Sequence, residues 1–217
     1  FWTTHTRGIT MNKSLTAIFC VAMLAVGCKA GTSAPVGDGL TGGQLVFSDD
    51  FNRDAFGDGW DNKSGKWELR DGWAHIRGDK NEGLWLKTPL PDRARVEFDA
   101  KSMSLDGDLK FEIFARERAH QTGYIVILGG WNNSISIIAR LNEHGTDRLE
   151  SSVVANIGQV HHFTAVRIKD TLKWFVDGKP VLTLKDADPI DGVYFAFNNW
   201  ASDAWYDNLR VYDLSGN

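Results

Sequence analysis

Leu172-Lys173-Trp174-Phe175-Val176-Asp177-Gly178-Lys179-Pro180-Val181-Leu182 is the stretch that decides the fold. Two short apolar-rich runs flank Asp177-Gly178, and that dipeptide supplies the positive φ angles of a tight turn, so the segment reads as a β-hairpin. Trp67-Glu68-Leu69-Arg70-Asp71-Gly72-Trp73-Ala74-His75-Ile76 repeats the strand-turn-strand pattern. From Gln44 to Leu214 the chain continues in this way, with short alternating segments punctuated by Gly, Asp, Asn or Pro. Strands are predicted at 44–48, 65–70, 73–77, 83–88, 94–103, 108–116, 122–129, 134–141, 148–154, 161–169, 172–177, 180–185, 192–199 and 204–213. No segment sustains a 3.6-residue apolar period. So many strands do not fit one flat sheet, and two packed sheets or a barrel are the stable solutions.

Upstream the composition changes. Arg7 and Lys13 are the only formally charged side chains before Cys28, so beyond it the chain is more acidic than the overall net charge of −4. That balance excludes nucleic acid, which demands a basic footprint, and leaves a membrane no electrostatic hold. Residues 1–27 read as an upstream extension followed, from Met11, by a signal peptide: Lys13 is the positive start and Leu15 to Val26 a short apolar stretch. Leu24-Ala25-Val26-Gly27-Cys28 resembles the lipobox of bacterial lipoproteins, which implies cleavage before Cys28, its lipidation, and an exported domain anchored to the cell envelope. Cys20 would be removed with the signal, leaving Cys28 without a disulfide partner. Residues 28–43, rich in Gly and small residues, read as a flexible tether. Residues 44–217 form the domain.

Phe47-Ser48-Asp49-Asp50-Phe51, the pair Trp67 to Ile76, Phe163-Thr164-Ala165-Val166-Arg167 leading into Trp174 to Lys179, and the closing Tyr206-Asp207-Asn208-Leu209-Arg210-Val211 together resemble the concanavalin A-like lectin and glucanase jelly rolls. More narrowly they are similar to laminin-G-like and 3-keto-disaccharide-hydrolase-type domains. The resemblance implies an all-β, two-sheet antiparallel sandwich with sugars bound on the concave face.

The densest polar and aromatic stretch includes Arg116, His120, Tyr124, Trp131, Asn132, Asn133, Arg140, Glu143, His144 and Arg148. Aromatic faces stack on the C–H side of a pyranose, and Arg, Asn and Glu choose among its hydroxyls, so the stretch suits a saccharide or polysaccharide. Asn198-Asn199-Trp200, at a strand end, is placed to join it from a rim loop. Alternation in 108–116 sets Leu109, Phe111, Ile113 and Ala115 against Lys110, Glu112, Phe114 and Arg116. In 134–141 it sets Ile135, Ile137, Ala139 and Leu141 against Ser134, Ser136, Ile138 and Arg140.

Laminarinase-type glycosidases of the resembled superfamily carry Glu-x-Asp-x-(x)-Glu, and the nearest match is Glu97-Phe98-Asp99-Ala100-Lys101-Ser102, which lacks the third acid. If the chain is an enzyme on glycosides or 3-keto-glycosides, Glu112 or Glu143 with His120 or His144 would serve as acid and base. A third reading is an interaction module of the envelope without catalysis. No cofactor is required. The resemblance places Asp49, Asp50 and Asp207 across adjacent strands, a set of oxygens suited to a structural calcium ion. Oligomeric state has no signal in the sequence.

Overall fold

The computed structural model describes residues 38–216, together with Phe1 and Thr3. The signal peptide, Cys28 and most of the tether therefore lie outside the described residues. In chain order the strands are β1 (Gln44–Asp49), β2 (Trp60–Asp61), β3 (Glu68–Arg70), β4 (Trp73–Arg77), β5 (Leu84–Leu86), β6 (Ala94–Ser102), β7 (Leu109–Ala115), β8 (Tyr124–Gly129), β9 (Ile135–Arg140), β10 (Leu149–Ser151), β11 (His161–Ile168), β12 (Thr171–Val176), β13 (Lys179–Lys185), β14 (Tyr194–Asn198) and β15 (Asp203–Asp213). They form two antiparallel sheets. One runs β13-β12-β11-β6-β15-β4-β3 with β1 also on β15, and the other β10-β9-β8-β7-β14-β5-β2. The expected two-sheet sandwich is thus the observed fold.

Period-two alternation explains which residues meet between the sheets. Val96, Phe98 and Ala100 of β6 point inward, and Arg95, Glu97, Asp99 and Lys101 point out. The core is aromatic: Phe98 stacks on Phe163 at 4.8 Å between centroids, and Phe197 on Tyr206 at 4.4 Å. Burying such rings contributes roughly 2–3 kcal/mol each, and no disulfide is needed to hold the sandwich.

Tyr206 does more than fill space. It lies on β15, yet its hydroxyl accepts from the Lys110 N–H at 2.9 Å and reaches the carbonyls of Lys110 (3.0 Å) and Asn198 (2.9 Å) on the opposite sheet. Burial pushes its phenol well above the ordinary range. One side chain therefore fixes the spacing of the two layers beneath the ends of β7 and β14.

Three local details differ from the sequence reading. Phe114 adopts a left-handed backbone (φ 55°) where the β7–β14 register shifts, and this bulge turns its ring into the main core under Arg167. Ala115 consequently joins Trp85 and Ala196 on the outside, reversing the expected phase. Second, β2 was not expected, because two residues carry no periodicity. Third, residues 39–42 at the end of the predicted tether are held against the domain: Arg95 donates to the carbonyls of Gly39 (3.0 Å) and Gly42 (2.9 Å), and Gly39 lies under Val166, Ile168 and Leu214, where no side chain would fit.

Candidate functional site

The outer face of the seven-stranded sheet is unusual in being buried as well. Lys110 and Glu112, the outward residues of β7, are 1% and 0% exposed. Ile125, Ile127, Ile137 and Ala139 form an apolar patch beside them. Loops fold back over this face, and between them a cleft of about 350 Å³ remains. Its floor is Asp108, Lys110 and Ile127, all buried; Trp131, Asn132, Glu143 and His144 stand on one side, and Lys80, Trp200 and Ala201 on the other, with Asp106 at the edge.

Each wall has a local cause. Between β8 and β9 the chain turns through left-handed Gly129, Trp131, Asn132 and Asn133. Glycine and asparagine tolerate such angles better than other residues, whereas tryptophan in this region is a strained exception that its surroundings must hold. Asn133 supplies the hold: its amide accepts from the Ala155 N–H at 2.9 Å and donates to the Ala155 carbonyl at 2.8 Å. Ser134 adds a hydroxyl bond to the Trp131 carbonyl at 2.6 Å. The Trp131 ring is packed by the Arg148 guanidinium at 4.3 Å and the His144 ring at 5.7 Å.

The opposite wall is the β14–β15 loop. Lys80 and Trp200 form a β-bridge, and the Ala201 N–H donates to the Asp79 carbonyl at 2.7 Å. The Trp200 indole stays 44% exposed, with the Lys80 ammonium 4.7 Å from its centroid. Asn198 and Asn199 are fully buried: Asn198 donates to Glu112 at 2.6 Å, and Asn199 to the Ser202 carbonyl at 3.3 Å. They shape the loop from beneath.

Electrostatics concentrate at the floor. The Lys110 ammonium sits 2.9 Å from a Glu143 carboxylate oxygen and donates to the Asn81 carbonyl oxygen at 3.0 Å. Asp108 is pushed up to about 6, mainly by burial and further by Glu143, against the pull of Lys110. One of its oxygens, Oδ1, is buried and has no hydrogen-bond partner among the described residues.

The Glu112–His120 pair lies further along the same face. Glu112 accepts from Asn198, from the Gln121 N–H at 3.1 Å, and contacts His120 Nδ1 at 2.7 Å. With its carboxylate tied to three donors and closed beneath the 117–121 loop, it does not open on the cleft. His120 Nε2 is likewise enclosed, without a hydrogen-bond partner among the described residues.

The remaining predicted residues lie elsewhere. Tyr124 is on the core side of β8, donating to Asp186 at 2.8 Å, and burial pushes its phenol up to about 12. Arg140 meets the same Asp186 at 2.9 Å, and Arg116 pairs with Asp191 at the surface at 2.8 Å. These three occupy the end of the sandwich away from the cleft. Glu97 and Asp99 project from the outer face of the other sheet, bound to Arg95 (2.7 Å) and His162 (2.8 Å).

Asp49 gives its oxygens to Arg53 and to the Trp60 indole N–H at 2.7 Å; burial acts to raise it, but these donors hold it below the usual range. Asp50 is exposed, and Asp207 turns to Asn208. No group of three or more His, Cys, Asp or Glu side chains gathers as a metal cage among the described residues.

Asp108, Lys110, Lys80 and Asp106, together with the apolar Ile127 and Ala201, are the cleft residues that sequence reasoning missed. The available signal was Lys110 and Glu112, two charges at alternate positions of a strand whose flanking strands are continuously apolar.

No family model and no curated protein matches the chain. Solved structures do. The carbohydrate-binding module CBM66 from Bacillus subtilis superposes with a TM-score of 0.61 at 15% identity, over 71% of this chain and 96% of that one. A laminarinase from Flavobacterium sp. UMI-01 gives 0.59 at 13%, over 78% and 100%. The β-glucanase of Bacillus licheniformis gives 0.58 at 13%, over 80% and 100%. At these identities the likeness is one of fold, the concanavalin A-like jelly roll.

Proposed function

We propose that this domain is a carbohydrate-binding domain whose site is the cleft between Trp131 and Trp200. The observation that carries the proposal is the pairing of two indoles, one exposed and one half-buried, across a floor of buried charged groups. Pyranose rings present an apolar C–H face to an indole and hydroxyls to carboxylate and ammonium, so this arrangement matches their amphipathic surface. The fold neighbours named as a carbohydrate-binding module, a laminarinase and a glucanase support the same reading. Asn132, Glu143, His144 and Lys80 are the polar contacts; Asn133, Asn198 and Asn199 position the walls, and Arg116, Tyr124 and Arg140 brace the other end.

Within the superfamily the closing Tyr206-to-Val211 strand and the Trp174-to-Lys179 hairpin favour the laminin-G-like and 3-keto-disaccharide-hydrolase-type branch. The lipobox-like Leu24 to Cys28 further supports tethering of the domain to a bacterial envelope.

The test is a glycan array followed by calorimetry on the best ligand. Trp200→Ala should weaken binding by about 1–3 kcal/mol with an unchanged circular dichroism spectrum, and Trp131→Ala should do the same. Folded variants of both that bind as tightly as the parent would move the site off this face.

A further inference from the structure

The cleft holds two buried carboxylate oxygens without a hydrogen-bond partner among the described residues, Glu143 Oε2, which has the Lys110 ammonium 2.9 Å away as counter-ion, and Asp108 Oδ1, which has none so close. A buried carboxylate oxygen without a donor is costly; Oδ1 is closed to solvent in this structure, but its residue lines the cleft, so a donor entering there reaches it through a turn of the Asp108 side chain. Resting on the saccharide reading above, we infer that Asp108 is the specificity-determining residue of the cleft: it accepts a hydroxyl hydrogen bond from a neutral saccharide, and acidic sugars are excluded.

The surrounding charges define the class. Asp108 enters at the start of β7 in a left-handed backbone (φ 49°), tied at its N–H to the Gly129 carbonyl and at its carbonyl to the Ser202 hydroxyl. Lys110 faces it from β7, but this ammonium is already engaged by Glu143 and Asn81. From the 141–148 loop come Glu143 and the exposed His144, from the loop ahead of β7 Asp106, and from the 78–83 loop Lys80. The Trp200 backbone N–H also faces the carboxylate. Three carboxylates thus meet two ammonium groups, one committed to an ion pair and the other lying on an indole. A uronate or sulfate would enter against Asp108 and Glu143 on a floor whose one ammonium, Lys110, is already paired, with Lys80 over the Trp200 indole as the counter-charge left on the wall. A neutral hydroxyl supplies the missing donor.

A hydrogen bond to the ionised acceptor is the stronger one, so the bound form holds Asp108 as carboxylate. In the free cleft that group titrates near 6. Binding in acid must therefore expel a proton, and affinity should fall about tenfold between pH 7.5 and pH 5. The sign follows from the raised value: the ligand-competent carboxylate is fully present above 6 and is lost as pH drops through it.

The experiment is calorimetry of the whole chain with neutral β-glucan oligosaccharides and with oligogalacturonates of matched length. Titrations at pH 5 and 7.5 use buffers of different ionisation enthalpy. The expected result is binding of a neutral oligosaccharide that weakens about tenfold in acid with proton release. Asp108→Asn, an isostere that asparagine's tolerance of left-handed angles allows to fold, should bind about tenfold or more weakly at pH 7.5 and lose the pH dependence. Asp108→Asn that matches the parent at both pH values, or a parent that prefers oligogalacturonate, overturns the role given to Asp108 while leaving the cleft a saccharide site. A parent that binds none of these oligosaccharides overturns the saccharide reading and this inference with it.

Discussion

Lys110→Met puts the buried floor of the cleft to a quantitative test. The lysine and Glu143 have side chains only 1% and 6% exposed and sit 2.9 Å apart. Methionine keeps the length and apolar stem but deletes the ammonium. Glu143 is then a desolvated carboxylate whose nearest remaining basic group is His144 at 3.7 Å, and Asp108 faces it with like charge. Removing one partner of a buried pair costs about 3–5 kcal/mol, because the other charge stays behind uncompensated. A domain of this size loses roughly 2–4 °C in Tm per kcal/mol, so the variant should melt about 6–20 °C lower. Lys110→Met with Glu143→Leu removes both charges, and replacing the whole pair is close to neutral, so the double variant should recover most of the loss. Differential scanning calorimetry at pH 7.5 reads all three proteins. A single variant melting within about 2 °C of the parent, or a double variant no better than the single, would refute the view that this pair is a coupled, desolvated unit.

Tyr206→Phe leaves the Lys110 N–H buried without its acceptor and removes the hydroxyl's bonds between the sheets, so it should cost about 1–3 kcal/mol by denaturant melting; a loss below about 0.5 kcal/mol would show the hydroxyl bonds to be dispensable. Asp207 is raised to about 6, first by burial and then by Asp99, Asp50 and Asp49. Its folded form therefore prefers the proton, the stability it contributes is lost as pH rises through about 6, and its charge opposes the fold at neutral pH. Asp207→Asn should accordingly raise Tm at pH 7.5 and leave it unchanged near pH 4, whereas a lower Tm at pH 7.5 would contradict this sign. Cys28→Ser should release the protein from the membrane fraction without altering the domain's melting; a serine variant retained at parental levels would end the lipoprotein proposal.

The fold was legible because its signals are local. Asp177-Gly178 and Asp71-Gly72 close hairpins where tight turns are expected, the first with a bulge at Trp174–Phe175, and most strand limits agree within two residues. What sequence could not show arises from long-range geometry. At Phe114 a bulge inverts the alternation, and nothing in the residue types announces it. Arg116, Tyr124 and Arg140 were grouped with Trp131 because they are close in the chain, yet the strands between them run the length of the sheet and carry them to its opposite end. Asp108 carries no signal of its own, and alternation shows only that Lys110 points outward with Glu112, not that this face is buried. Only the fold-back of the 141–148 loop, which sets Glu143 against Lys110, turns that face into a buried floor.

The docking of Gly39 and Gly42 on Arg95 sets the polarity of the molecule. β6 and β15 run antiparallel, with Ala94 opposite Asp213 at one end and Ser102 opposite Ala204 at the other. Arg95 and Leu214 gather the incoming chain at the first end, and Ser202 reaches Asp108 at the second. The polypeptide thus enters the sandwich at its base, and the cleft opens at its crown. About ten residues separate Cys28 from Asp38, a span of at most ~35 Å when fully extended. A lipid at Cys28 would hold the sandwich on a short leash that joins it at its base, the end of the described domain opposite the cleft.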